Sequence, residues 1–277
     1  MSLVVGTNVS AINATRSLYK NNIAIGDSYQ KMASGSRINK AADDAAGLAI
    51  SEGMKAQIRS SRQAKRNAND GISLIQTAEG GLNEIGNIIV RLRELGIQAA
   101  SDTVGDTERT FIDNEVQAMK MEVQRIAEST KWGTTNLLDG STPVFDFQVG
   151  IHNNDFADRI SFDASNNVAT LDALGMDDVE FTSKEGAQTA LELLDNAQTN
   201  VNRMRANVGG LQNRLVSTVS NLGESEENIS AANSRIRDAD IAETSTALTK
   251  NNILMQAATA TLAQANQKNS LALQLLG

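Results

Sequence analysis

LELLDNAQTNVNRMRANVGGLQNRLVSTVSNLGESEENISAANSRI, residues 191–236, decides the fold. Alternating steps of three and four collect Leu194, Ala197, Val201, Met204, Val208, Leu211, Leu215, Thr218, Leu222, Ser225, Ile229, Ala232 and Ile236 in one stripe. A heptad stripe of this kind is the seam along which one helix packs on another. The spacing predicts a helix from Lys184 to Asp238, about 80 Å long at about 1.5 Å per residue. Thr182 and Glu185 stand at the separation of a capping box and are expected to open it. A helix this long exceeds what a compact domain of this size holds, so it must lie against other helices.

Two further seams supply those neighbours. Ile75, Ala78, Leu82, Ile85, Ile89, Leu92 and Ala99 form one, with Gly96 as a gap beside Leu95. Ile112, Val116, Met119, Val123 and Ile126 form a shorter one after the turn-like SDTVGD. Between the second and third seams the chain changes character. Val144, Asp146 and Gln148 alternate with Phe145, Phe147 and Val149, the period of a strand, and IHNNDFAD supplies a turn before RISF. One small β-hairpin near 140–165 is therefore expected, as the only β element. Residues 163–182 read as a short polar, variable segment into which extra chain could be inserted. The fold class that follows is mainly α: a long antiparallel coiled-coil rod carrying one hairpin.

Composition narrows function. The 277 residues include one histidine, no cysteine and 3% aromatics, so the usual acid–base, nucleophilic and soft-metal side chains are almost missing and no catalytic residues are assigned. His152 lies in the hairpin turn beside Asn153, Asn154 and Asp155, too few ligands for a metal. No metal and no cofactor is expected. A net charge of -8 argues against nucleic acid, whose binding rests on neutralising phosphates. The start of the chain shows neither a basic leader nor an apolar core, and no stretch of roughly 18 apolar residues could span a bilayer. Neither a cleaved signal peptide nor membrane insertion is expected.

The two ends resemble each other. Neither has an acidic residue before Asp27 or after Glu243, yet each carries a thin apolar stripe. At the N-terminus these are Leu18, Ile25, Tyr29 and Met32, interrupted by Asn22; at the C-terminus Leu248, Met255, Leu262, Ala265 and Ala272, interrupted by Asn269. Stripes so diluted bury too little surface to offset the ordering of an isolated helix. The ends are expected to be disordered in the free chain and to fold on each other and on neighbouring copies. Leu18, Ile25, Met32, Leu248, Met255 and Leu262 are the assembly residues this predicts, and the domains divide as 1–42, 43–241 and 242–277. SGSRINKAADDAAGLAIS, residues 34–51, lacks the spacing of a phosphate loop. It reads as a joint: Ser34, Gly35 and Ser36 break one helix, Asp43 and Asp44 favour the start of the next, and Ala45, Ala46, Gly47 and Ala49 admit close neighbours. The sequons at Asn8, Asn13 and Asn228 fall on predicted helices and read as chance matches.

These residues carry a resemblance to the bacterial flagellins. INATRSL, YQKMASGSRINKAADDAAGLAISEGM, NANDGISLIQTAEGGLNEI and RLRELGIQAASDT at one end, and LGESEENISAANSRIRDADIAETSTALTKNNILMQAATATLAQANQ at the other, are similar to the signatures of that family. The resemblance covers nearly the whole chain outside residues 163–182 and implies a short form without large outer domains. It implies a structural filament subunit for motility, polymerising with other flagellin subunits through its terminal helices, and not an enzyme. It also implies an extracellular flagellar location, export without a cleaved signal, a chaperone masking about Ala247–Gly277, and partners in the filament cap and the hook–filament junction. RLRELGIQ resembles the segment that a Toll-like innate receptor detects, which would make Arg91 and Leu95 contacts; the acidic partner expected on the following helix is not clear in the sequence. A hook–filament junction adaptor and, more remotely, a coiled-coil signalling rod are the alternatives.

Overall fold

A computed structural model describes residues 7–141 and 144–274, with side chains described as far as residue 267. The helices are α1 (Val9–Ser34), α2 (Ala45–Ala99), α3 (Asp106–Ser129), α4 (Leu171–Leu174), α5 (Lys184–Arg237) and α6 (Ile241–Gln274). Among the described residues four short strands, β1 (Lys131–Trp132), β2 (Thr135–Asn136), β3 (Val144–Gln148) and β4 (Arg159–Asp163), make two antiparallel pairs. The chain is mainly helical, as the seams require. Two compact units divide it, residues 59–227 and residues 1–58 with 228–277. The ends at 1–6 and 275–277 and the side chains of Asn269 and Ala272 lie outside the described residues.

In the unit 59–227 the seams become the core. Ile75, Ala78, Leu82, Ile85, Ile89, Leu92, Leu95 and Ala99 of α2 are buried, as are Leu194, Ala197, Val201, Met204, Val208, Leu211 and Leu215 of α5. Burying each Leu or Ile contributes about 1.5–3 kcal/mol, and this packing rather than helix propensity holds the long helices. A Cβ added at Gly96 would stand 3.0 Å from Leu191 Cδ2 and 3.1 Å from Phe181 Cζ, so the gap in the seam is filled by neighbouring side chains. From Thr218 onward the α5 stripe is only half-buried. On α3 the buried apolar positions are Val116, Val123 and Ala127, while Ile112, Met119 and Ile126 pack partly buried at the edge.

The expected hairpin forms with Phe145 opposite Phe162 and Phe147 opposite Ile160. The Phe145 and Phe162 rings stack at 6.2 Å, and the Phe147 ring covers Gly71 of α2, where a Cβ would approach it to 3.1 Å. The expectation of a single β element is corrected by β1–β2, whose two-residue strands are too short to show a period of two; Gly133 turns between them at φ 61°. The cap of α5 is also corrected. Ser183 Oγ accepts from Gly186 N at 3.0 Å, while the Thr182 hydroxyl donates to Glu180. Residues 164–181 depart furthest from the reading as a polar connector. Ala164, Asn167, Ala169, Leu174, Met176, Val179 and Phe181 are buried. Lys120 Nζ on α3 donates to the Asp177 and Val179 carbonyls, and Asp113 Oδ1 accepts from Phe181 N. Ser165, Asn166, Asp172, Asp177, Asp178 and Glu180 face outward, and the buried apolar residues between them, with Asn167, complete the core.

Candidate functional site

In the unit 1–58 with 228–277, α1 and α6 pack against each other. Asn8 caps α1 by accepting from Ala11 N at 3.0 Å and donates its Nδ2 to the Ala265 carbonyl of α6 at 2.9 Å. At the other end of the pair Ala239 N donates to the Gly35 carbonyl at 2.9 Å. The helices therefore run antiparallel. The Asn8 sequon position is thus occupied by structural bonds.

The segment between α1 and α2 is a joint. Gly35 ends α1 at φ 68°, the left-handed conformation that glycine adopts without a Cβ clash. Ser36 bridges Asp238, Arg37 N donates to the Arg237 carbonyl at 2.6 Å, and the Arg37 guanidinium donates to the Ile236 carbonyl at 2.8 Å. These bonds tie the end of α1 to the end of α5. Asp44 Oδ1 accepts from Gly47 N at 2.8 Å and so caps α2. Asp43 acts one step earlier: its carboxylate accepts from Lys40 N and Asn39 N, both at 3.0 Å, and these bonds hold it below its ordinary pKa. Asp240 caps α6 through Ala242 N and Glu243 N. The small-residue reading is corrected: Ala45, Ala46 and Ala49 are exposed, and only Gly47 is in a tight place, where a Cβ would meet Ile38 Cδ1 at 2.8 Å.

The six residues expected to drive assembly fall on the α1–α6 seam. Ile25 is buried, and Leu18, Met32, Leu248, Met255 and Leu262 are half-buried. Ala258 and Ala265 are buried between them on α6. Tyr29 does not join this seam; it is 57% exposed, and Ser28 takes the inward position. A second set of apolar side chains, lying off the heptad stripe, faces outward. It comprises Val9, Ile12, Tyr19, Ile23, Ile253 and Leu254. An open groove of about 450 Å³ on α6 is lined by Ile253, Leu254 and the aliphatic stem of Lys250 among hydroxyls. The signal that could have found this set is hydrophobicity on the face opposite the seam.

Other expected positions separate. Arg91 is exposed and donates to Glu94 at 3.0 Å and to Glu115 of α3 at 3.1 Å, which raises its pKa. Glu115 is the acidic side chain of α3 that pairs with Arg91. Leu95 is corrected as a receptor contact: at 3% exposure it belongs to the core and presents nothing to a binding protein. His152 is exposed in the hairpin turn. Among the described residues no three His, Asp or Glu side chains are grouped to hold a metal, and no helix is long and apolar enough to cross a membrane.

Long heptad helices, an antiparallel pair of terminal helices and outward apolar side chains on that pair define a coiled-coil structural protein. The comparisons narrow the class. Residues 5–142 match the bacterial flagellin N-terminal helical region and residues 191–276 the bacterial flagellin C-terminal helical region. The chain is 42% identical to a flagellin of Halalkalibacterium halodurans over 99% of this chain and 100% of that one. It is 41% identical to a flagellin of Bacillus subtilis over 98% of this chain and 99% of that one. The crystal structure of Bacillus cereus flagellin superposes with a TM-score of 0.51 at 27% identity, covering 61% of this chain and 94% of that one. A putative flagellar hook-associated protein of Vibrio parahaemolyticus shares the fold at a TM-score of 0.60 and 13% identity, covering 71% of this chain and 100% of that one. The chain belongs to the bacterial flagellin family.

Proposed function

We propose that this chain is a structural subunit that polymerises with copies of itself into the bacterial flagellar filament. The observation that carries the reading is the match of both terminal helical regions, in order, to those of flagellins. End-to-end likeness to flagellins and to a flagellar filament core protein of Brachyspira hyodysenteriae, 41% identical over 99% of this chain and 100% of that one, supports it. The role is structural rather than catalytic, and the location is the extracellular filament.

Assembly works through the ends. Residues 1–42 and 242–277 flank the helical middle segment, 43–241. Leu18, Ile25, Met32, Leu248, Met255 and Leu262 close α1 on α6, and the outward set around Ile12, Ile23, Ile253 and Leu254 is covered by neighbouring subunits. Two different surfaces meeting head to tail, with a rotation that does not close, generate an open helical filament. Ordering of the ends on contact keeps the free chain soluble until a growing tip offers partners. Export without a cleaved signal, an export chaperone on about Ala247–Gly277, and contact with filament cap and hook–filament junction proteins complete the reading. Of the Toll-like receptor pair, Arg91 is the accessible member. The junction-adaptor alternative is not favoured, because the full-length relatives are filament proteins, and the signalling rod has no support.

Electron microscopy of the purified chain after seeding tests this. The full chain is expected to form long filaments, whereas deletion of 1–42 or of 242–277 abolishes them and leaves the remainder helical by circular dichroism. Filaments from a doubly truncated chain would overturn the assignment of the ends.

A further inference from the structure

The side chain that burial arguments account for least is Phe156. It is 97% exposed at the tip of the β3–β4 hairpin, yet the turn beneath it is tightly bonded. Asp158 is 8% exposed, and its carboxylate accepts from Asn154 N at 3.0 Å and His152 N at 3.4 Å. Asn154 Oδ1 accepts from Phe156 N at 3.0 Å and Ala157 N at 3.2 Å. Arg159 donates to Asn153 at 2.5 Å, to Gln148 at 3.2 Å and to Asp155. Gly150 sits where any Cβ would collide with the Asp158 carboxylate. These bonds hold the turn that carries the exposed Phe156 ring, and contact with a partner would remove that apolar surface from water. Phe156 borders a groove of about 420 Å³ shared with Val149, Ile160 and Arg214. The Arg214 guanidinium has no ion pair or hydrogen bond among the described residues.

The same unit carries a complementary face. On α3 Phe111 and Met121 are each 68% exposed. Ala118 is exposed between them, and the positions 111, 118 and 121 share one side of a helix. Glu108, one turn before Phe111, has no partner for its carboxylate among the described residues. Phe156 cannot reach this face in its own chain. The Arg93–Asp195 and Arg62–Glu226 pairs set α5 antiparallel to α2, and the Arg91–Glu115 pair together with the bond from Arg109 to the Ala99 carbonyl sets α3 antiparallel to α2. In that register the groove residues Asn213–Thr218 and Phe111 stand about 20 or more residues of helix apart, roughly 30 Å.

We infer that the hairpin tip docks on a second copy of this chain, Phe156 seating against the Phe111–Met121 face of α3 and Arg214 pairing with Glu108. A knob and its seat at different levels of one unit make a heterologous contact, which one copy offers upward and the next receives. The charges agree: the groove side presents a free cation, and the α3 face a free carboxylate. This rests on the polymer reading and adds to it a contact outside the terminal helices.

The chain has no cysteine, so engineered thiols are unique reporters. Phe156→Cys and Phe111→Cys chains are mixed, polymerised and treated with a short bismaleimide. Covalent dimers joining the two variants are expected in filaments, and neither in either variant alone nor in the unpolymerised mixture. In a second arm, Arg214→Glu raises the critical concentration for polymerisation about tenfold, as loss of an interface contact worth one decade does; Glu108→Arg does the same, and the double reversal returns it to near the wild-type value. Filaments that assemble but give no dimers above the single variants, or a double reversal no better than the singles, overturn the inference. Failure of the wild-type chain to form any filament overturns the polymer reading instead. Circular dichroism of each monomer confirms that the exposed substitutions leave the helices intact.

Discussion

At the residue scale the joint shows how single side chains decide where helices stop. Gly35 has open space where its Cβ would be, so nothing steric demands glycine there except its φ of 68°. The carbonyl of this residue also receives Ala239 N, which fixes the conformation against relaxation. Gly35→Ala therefore keeps every contact and pays only for the left-handed backbone, about 1 kcal/mol. Thermal unfolding followed at 222 nm is expected to show that loss, and Gly35→Asn a smaller one, because asparagine tolerates the region. Equal stability of Gly35→Ala and the parent would mean that the joint is not held in this geometry in solution. Asp43 and Asp44 divide the capping between them, one serving the turn at Asn39–Lys40 and the other α2. Their adjacency suggested a shared role, and the bonds show two separate ones.

At the element scale, what could be read from the sequence was what repeats. The α2 and α5 seams were legible because a long run of Leu, Ile, Val and Met at heptad spacing has no competing interpretation, and the structure buries them almost residue for residue as far as Leu215. The β3–β4 hairpin was legible from three apolar residues at a period of two. The segment 164–181 was not, because its burial depends on partners far away in the chain. Lys120 and Asp113 of α3 supply the polar bonds, and no local pattern encodes that. The α5 cap missed by one residue for a related reason: Thr182 and Ser183 are both good caps, and only the backbone selects between them. Ser183→Ala is expected to destabilise the chain by about 1 kcal/mol, the usual worth of an N-cap hydroxyl. Thr182→Ala is expected to be close to neutral, since its hydroxyl donates to the exposed Glu180 and serves no helix N–H. Urea unfolding midpoints of the two variants measure the difference, and the reverse order would return the cap to Thr182. The assembly residues were legible as a stripe but not as to which partner they meet. Leu18 and Leu248 share the α1–α6 seam within one chain, and the outward Ile23 and Ile253 lie off the single face that a heptad pattern marks.

At the scale of the whole molecule the two units differ in how much they bury. The unit 59–227 encloses a core from α2, α3 and α5 with Ile75, Leu82, Ile89, Leu92, Leu194 and Leu215 at 0–2% exposure. Along α1 the buried side chains are Ile25 and Ser28, and along the described part of α6 they are Ala258 and Ala265. Opening a helix pair of that kind exposes little apolar surface, so its local opening free energy lies far below that of the core. Hydrogen exchange reads this difference directly. In the monomer the amides of α1 and α6 are expected to exchange orders of magnitude faster than those of residues 75–99, because their protection is limited by local opening rather than by global unfolding. On polymerisation the same amides slow toward the core, since neighbours cover Ile12, Tyr19, Ile23, Ile253 and Leu254 and opening must then break intersubunit contacts as well. Strong protection of α1 in the monomer, equal to that of α2, would show that the ends are folded before assembly and that polymerisation is driven by docking of preformed helices.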